Sequence, residues 1–322
     1  MSLTVNGLSK MNGSRWVLRN IDLNVEPGRI FGVLGRKGSG KTTLLRTIAG
    51  LEKPNGGTVD RGNGAGSTNA TDGVAYVPTI PASQFWHRAL GKSENTTDAA
   101  ERQTESLNNA LTGSDNIVLL DDTFLFFDRD SKREKMEEVR KASRDRGLAV
   151  VYAANNFNDI LELCDEALII DQTEMVQTGT PQELYEHPAS VTAASLTGRC
   201  NFIEARRLTS TKATLPEFQT IAGEYRLFAR RADIATMGAI NKNVFLAIRP
   251  ENISISFGAS FPEDNLLKAT VSGVRFLGPM TSVTLDAEGI ELDALVMRLV
   301  GLNVGDECMV GLPPDRILIL KK

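Results

Sequence analysis

The sequence predicts an α/β domain with a mostly parallel sheet, followed by a small all-β, barrel-like domain. Three observations point there. Residues 29–34 form a compact apolar run that enters a glycine-rich turn, and residues 41–49 continue as a helical pattern stopped by Gly50. Apolar runs at 116–120, 148–153 and 167–170 read as buried strands with helical segments between them, the pattern of parallel strands joined by crossover helices. Near residue 200 the character changes to short alternating runs separated by Gly and Pro, at 244–248, 253–256, 269–274, 281–285, 290–295 and 307–312. A length of 322 residues suits two such domains, here 1–200 and 201–322.

In chain order, residues 2–8 and 17–25 alternate as two strands around a turn at Asn12 and Gly13. Residues 53–73 are polar and glycine-rich and are expected as turns and loop, with a short strand at 73–77. Residues 83–109 have few apolar anchors, so a loop with two weakly packed helices is expected. Residues 129–146 form a charged amphipathic helix. The formal charge of -4, with no block of Lys and Arg, argues against a nucleic-acid partner. Cys164, Cys200 and Cys308 are far apart, and His87 and His187 lie near none of them, so reduced buried thiols are expected rather than a zinc site. Neither a signal peptide nor an apolar run approaching the ~20 residues of a bilayer span is evident. A cytoplasmic chain is expected, reaching the inner face of the plasma membrane only through a partner.

Gly35-Arg-Lys-Gly-Ser-Gly-Lys41-Thr42 fits G-x-x-x-x-G-K-[ST], and its strand–loop–helix setting is the one a P-loop NTPase requires. The glycines let backbone N–H groups turn inward around phosphates, and the following helix points its positive N-terminus at the same anions. The expected contacts to ATP come from Gly35, Arg36, Lys37, Gly38, Ser39, Gly40, Lys41, Thr42 and Thr43. Lys41 would reach the β- and γ-phosphates, and Thr42 would hold Mg2+. The apolar strand Ile117-Val-Leu-Leu ends in Asp121, a carboxylate placed for the same metal.

With these motifs in hand, the chain resembles the ATPase subunit of an ABC importer of the maltose, polyamine, ferric-iron or phosphonate group. Val17-Leu-Arg-Asn-Ile-Asp-Leu-Asn-Val-Glu-Pro-Gly28, Leu44-Leu-Arg-Thr-Ile-Ala-Gly-Leu51, Gly179-Thr-Pro-Gln-Glu-Leu-Tyr-Glu-His-Pro188 and Gly198-Arg-Cys-Asn-Phe-Ile203 carry the likeness through the first domain. Ala247-Ile-Arg-Pro-Glu-Asn-Ile253 and Phe276-Leu-Gly278 carry it into an accessory β domain of the TOBE type. Within that stretch Arg249 and Glu251 read as an ion pair or turn that holds the β domain together. The resemblance implies a dimer, with itself or with a related ATPase subunit, and membrane permease subunits as partners.

The same comparison exposes departures. The position of the adenine-stacking aromatic holds Asn12, with Trp16 the alternative, so a stacking contact of ~1 kcal/mol is missing or moved. Thr79 occupies the place of the metal-sensing Gln, and Gln84 lies out of register. The helical subdomain is shortened, and Thr97-Asp-Ala-Ala-Glu101 stands where a glycine-rich signature would hold the γ-phosphate of the opposite subunit. Asp122 replaces the general-base Glu and is one methylene shorter; a misplacement of ~1 Å costs on the order of 10²-fold in rate. Asn155 replaces the switch His, and losing a transition-state donor costs about 10²–10³-fold. Two functions follow from this pattern: an importer ATP-binding subunit with weak or absent hydrolysis, or a nucleotide-binding pseudo-ATPase with a regulatory or scaffold role outside transport.

Overall fold

The computed structural model of the chain describes residues 1–62, 73–79, 96–209, 215–229, 239–257, 265–297 and 301–320. The chain divides into two compact units, Met1–Glu186 and His187–Lys322.

The first unit carries strands β1 (Leu3–Asn12), β2 (Arg15–Val25), β3 (Ile30–Gly35), β4 (Gly56–Asp60), β5 (Val74–Val77), β6 (Ile117–Asp121), β7 (Ala149–Ala154), β8 (Glu166–Asp171) and β9 (Glu174–Gly179). They form one sheet in the order β4-β1-β2-β9-β8-β3-β7-β6-β5. From β8 across to β5 every pairing is parallel, whereas β4–β1, β1–β2 and β9–β8 are antiparallel. Every residue of β3, β6 and β7 is buried, which is why these strands read as unbroken apolar runs rather than alternation.

The helices of this unit are α1 (Lys41–Ile48), α2 (Thr96–Thr112), α3 (Arg129–Arg146), α4 (Phe157–Leu163) and α5 (Pro181–Glu186). Helix α1 buries Leu44, Leu45 and Ile48 and ends in a Schellman turn at Gly50: φ is 76°, Gly50 N donates to Thr47 O at 3.1 Å and Leu51 N to Arg46 O at 2.9 Å. Helix α3 is capped by Asp128, which accepts from the N–H groups of Asp130 and Ser131, and it is closed by Gly147 at φ 66°.

One expectation needs correction. Gly56–Asp60, expected as loop, is a strand: backbone pairing to β1 (Thr4↔Asp60, Val5↔Val59, Asn6↔Thr58) makes it, and its mostly exposed side chains left no periodic signal. Residues 96–112 form one helix, anchored by Leu107, Ala110, Leu111 and the buried Gln103, whose amide donates to Pro78 O at 3.2 Å. The rest of the stretch expected as a loop with two helices, residues 83–95, lies outside the described residues.

The second unit begins with α6 (Val191–Thr197) and continues with β10 (Asn201–Arg207), β11 (Glu217–Thr220), β12 (Arg226–Phe228), β13 (Asn243–Ile248), β14 (Ser254–Ser256), β15 (Asn265–Phe276), β16 (Met280–Ala287), β17 (Ile290–Met297), β18 (Glu307–Leu312) and β19 (Leu318–Leu320). Two five-stranded antiparallel sheets, β12-β11-β10-β13-β19 and β14-β18-β15-β16-β17, share one apolar core that joins Ile203, Phe218 and Leu246 to Leu267, Val283 and Val310. Helix α6 packs Ala194 against Ala247 and Leu320 of this same unit. Arg249 is only 4% exposed and bonds to the C-terminal end of that helix and the residues after it. Its guanidinium donates to Ala194 O at 3.0 Å, Arg199 O at 3.1 Å and Thr197 Oγ1 at 2.9 Å. All three cysteines are free; burial pushes the Cys200 thiol up to about 11 and raises Cys164 and Cys308 as well.

Candidate functional site

The site forms where the parallel strands end. β3 runs into the loop 35–40, β6 ends at Asp121, and β7 delivers Asn155 one residue beyond its last position, so side chains from three neighbouring strand ends meet. The loop conformation depends on glycine. Gly40 has φ 102°, and a Cβ there would sit 2.8 Å from both Leu18 Cδ2 and Val17 O. A Cβ on Gly35 would sit 2.4 Å from Ser39 Oγ. Gly38, at φ 84°, faces open space, with the side chains of Arg36 and Lys37 exposed beside it. The N-cap of α1 is Gly40 itself, with no side-chain cap, so the first-turn N–H groups are left for another acceptor. The buried Ser39 Oγ also lacks a hydrogen-bond partner among the described residues.

Lys41 is buried and uses all three of its protons. Nζ donates to Gly35 O at 2.7 Å, Arg36 O at 3.0 Å and Asn155 Oδ1 at 2.8 Å. Burial lowers its pKa, while the charges of Asp122 and Asp121 oppose that shift. Thr42 Oγ1 donates to Asp121 Oδ1 at 3.2 Å, bringing together the hydroxyl and carboxylate expected to hold a metal. Asp121 is 4% exposed and accepts two more bonds, from Tyr76 OH to Oδ2 at 3.1 Å and from Thr79 Oγ1 to its main-chain O at 2.6 Å.

Asp122 has φ 49°, in the left-handed region that Asp tolerates better than most residues, and its N–H donates to Ala153 O at 3.0 Å. Its carboxylate accepts from the Asn155 side-chain amide. Burial raises its pKa, and Lys41 pulls it back. Asn155 therefore bridges Lys41 and Asp122, accepting from one and donating to the other. The residue types suit Mg-ATP: an uncapped helix start and an ammonium for phosphate, and one hydroxyl with one carboxylate for a cation that keeps most of its ligands as water and phosphate oxygen.

Lys41, Thr42, Asp121, Asp122 and Asn155 thus form one cluster. Of the other candidates outside the loop, only Thr79 touches it among the described residues. Thr79 is bonded to the Asp121 backbone, and Gln84 lies outside the described residues. Asn12 is exposed at the end of β1, and Trp16 is half-buried with the Arg19 guanidinium 5.3 Å from its ring centroid. Thr97–Glu101 lie in the first turns of α2, and the side chains of residues 96–99 are outside the described residues. Tyr76 is the residue the sequence did not single out. It sits in a short apolar strand, and no local pattern signals a contact with a carboxylate 45 positions downstream.

Among the described residues no helix is long and apolar enough to cross a membrane, and no cluster of three or more His, Cys, Asp or Glu could hold a metal ion. Residues 18–80 match the family model described as ABC transporter, and residues 246–320 match that of the TOBE domain. The chain is 25% identical to the Fe(3+) ions import ATP-binding protein FbpC of Photorhabdus laumondii, over 97% of this chain and 95% of that protein. It is 28% identical to the sulfate/thiosulfate import ATP-binding protein CysA of Rhodopseudomonas palustris, over 99% of each. It is 24% identical to the putative 2-aminoethylphosphonate import ATP-binding protein PhnT of Salmonella typhimurium, over 95% of this chain and 91% of that protein. The strand–loop–helix around the loop 35–40 therefore lies within a stretch similar to ABC transporter domains, and the strands from β13 onward lie within a stretch similar to TOBE domains.

Proposed function

We propose that the chain is the ATP-binding subunit of an ABC-type import complex and that it binds Mg-ATP but hydrolyses it slowly or not at all. Binding is supported by the loop 35–42: Lys41 exchanges its carbonyl acceptors for the β- and γ-phosphates, and the uncapped N-terminus of α1 meets the same oxygens. Mg2+ supplies charge neutralisation on the phosphates, and Thr42 and Asp121 are the residues that would hold it. The import role rests on relatives that are import ATP-binding proteins and align over nearly the whole chain. The partners are then a second ATPase subunit, this chain or a related one, and permease subunits that bring it to the inner face of the membrane.

The observation that carries slow turnover is the Lys41–Asn155–Asp122 chain. A general base needs a free lone pair aimed at the attacking water. Asp122 is short, set in the left-handed region, and already accepting from Asn155. Asn155 carries no charge to offer the γ-phosphate.

Phosphate release from Mg-ATP by the purified chain, with Lys41→Ala as the blank, tests this. The expected result is clear Mg-ATP binding with release close to the blank. Turnover well above the blank overturns slow hydrolysis, and absence of ATP binding overturns the whole reading. Asp122→Glu combined with Asn155→His is expected to raise release by less than about tenfold, because a Glu at φ 49° is strained and residues 97–101 still lack signature glycines. A gain of hundreds-fold in the same assay would show that these two positions alone limit the chemistry.

A further inference from the structure

We infer that Tyr76 is a positioning residue that fixes the Asp121 carboxylate for a divalent cation, an inference that rests on reading the loop 35–42 with Asp121 as a Mg-ATP site. β5 and β6 run parallel with Tyr76 opposite Leu119, and the phenol reaches the Asp121 side chain at the end of β6. The two carboxylate oxygens are shared between donors from different elements. Oδ1 accepts from Thr42 at the start of α1, and Oδ2 accepts from Tyr76 on β5. Thr79 holds the main-chain oxygen of the same residue. Rotation of the carboxylate breaks at least one of these bonds.

The division of labour suits metal binding. The oxygen beside Thr42 is the one that would face a cation held with the Thr42 hydroxyl. The other oxygen accepts from Tyr76 and would keep that donor with a cation bound on the Thr42 side. A carboxylate held this way presents one oxygen in one direction, and outer partners of metal-binding carboxylates commonly contribute 10- to 100-fold in metal affinity, as rough central values.

The test compares ATP affinity of the full chain by calorimetry in Mg2+ and in EDTA, with Mn2+ and its electron paramagnetic resonance signal as a direct probe of the cation. Tyr76→Phe is expected to cut the metal-dependent gain in ATP affinity by about tenfold, broaden the Mn2+ signal, and leave affinity in EDTA unchanged. Tyr76→Met removes the same hydroxyl with a different shape and must give the same loss, so a packing defect of one variant does not mimic the result. Tyr152→Phe removes a tyrosine hydroxyl that does not touch Asp121, the one donating to Asp159 at 3.1 Å, and is expected to change neither affinity. A metal-dependent gain equal to wild type in both Tyr76 variants overturns the inference while leaving the Mg-ATP reading intact. A wild-type chain that binds no ATP, or binds it equally with and without metal, overturns both.

Discussion

Replacing Lys41 with Ala will weaken Mg-ATP binding by at least about 100-fold, beyond detection in a calorimetric titration at ordinary protein concentration. The reasoning starts from the apo arrangement. Three acceptors, Gly35 O, Arg36 O and Asn155 Oδ1, hold the Lys41 ammonium in the mouth of the loop. The charge is already desolvated there, as its lowered pKa indicates, so little further desolvation opposes the exchange of carbonyls for phosphate oxygens. Two charge-assisted bonds to phosphate at about 1.5–3 kcal/mol each account for a 100-fold loss with margin. Arg36 and Lys37 are exposed beside the loop and supply only screened attraction in its place. The variant also strips Asn155 of its donor while leaving the Asn155–Asp122 bond. Affinity unchanged from wild type would remove the loop 35–42 from consideration as the nucleotide site.

Arg249→Ala will destabilise the second unit by roughly 3 kcal/mol and lower its melting temperature by roughly 10 °C in a thermal scan followed by circular dichroism. The guanidinium is buried, and its donors satisfy Ala194 O, Arg199 O and Thr197 Oγ1 around the C-terminal end of α6. A helix C-terminus carries unpaired carbonyls and partial negative charge, so a buried cation there answers both. Truncation removes three bonds at this helix end and leaves Ala194 O only its longer contact from Thr197 Oγ1 at 3.3 Å, so the cost includes desolvated acceptors as well as the lost bonds. Arg249→Lys is expected to recover only part of the loss, because a single ammonium does not reproduce the planar fork that reaches two carbonyls and a hydroxyl. A melting temperature within a degree of wild type for Arg249→Ala would mean that water reaches the helix end and replaces the guanidinium.

The sequence by itself determined the parts whose physics is local. The run 29–34, the glycines of 35–40 and the helix stopped by Gly50 reappear as β3, the loop and α1, because an all-buried parallel strand must be apolar throughout and positive φ angles select glycine. The helix at 129–146 and the strand at 307–312 were legible to the residue, the first from its charged amphipathic pattern, the second from its short alternating run.

The tertiary structure decided what depends on partners distant in the chain. β4 and β9 are strands because neighbouring backbone pairs with them, and their exposed faces carry no periodicity to read. Helix α6 joins the second unit because Arg249, some fifty positions on, bonds to its end. Around the site, Lys41, Thr42 and Asp121 could be named from motifs, but the bonds from Tyr76 to Asp121 and from Asn155 to Asp122 could not. A hydrogen bond is set by where two atoms sit in space, and residues 45 or 33 positions apart meet only once the parallel sheet has brought their strand ends together.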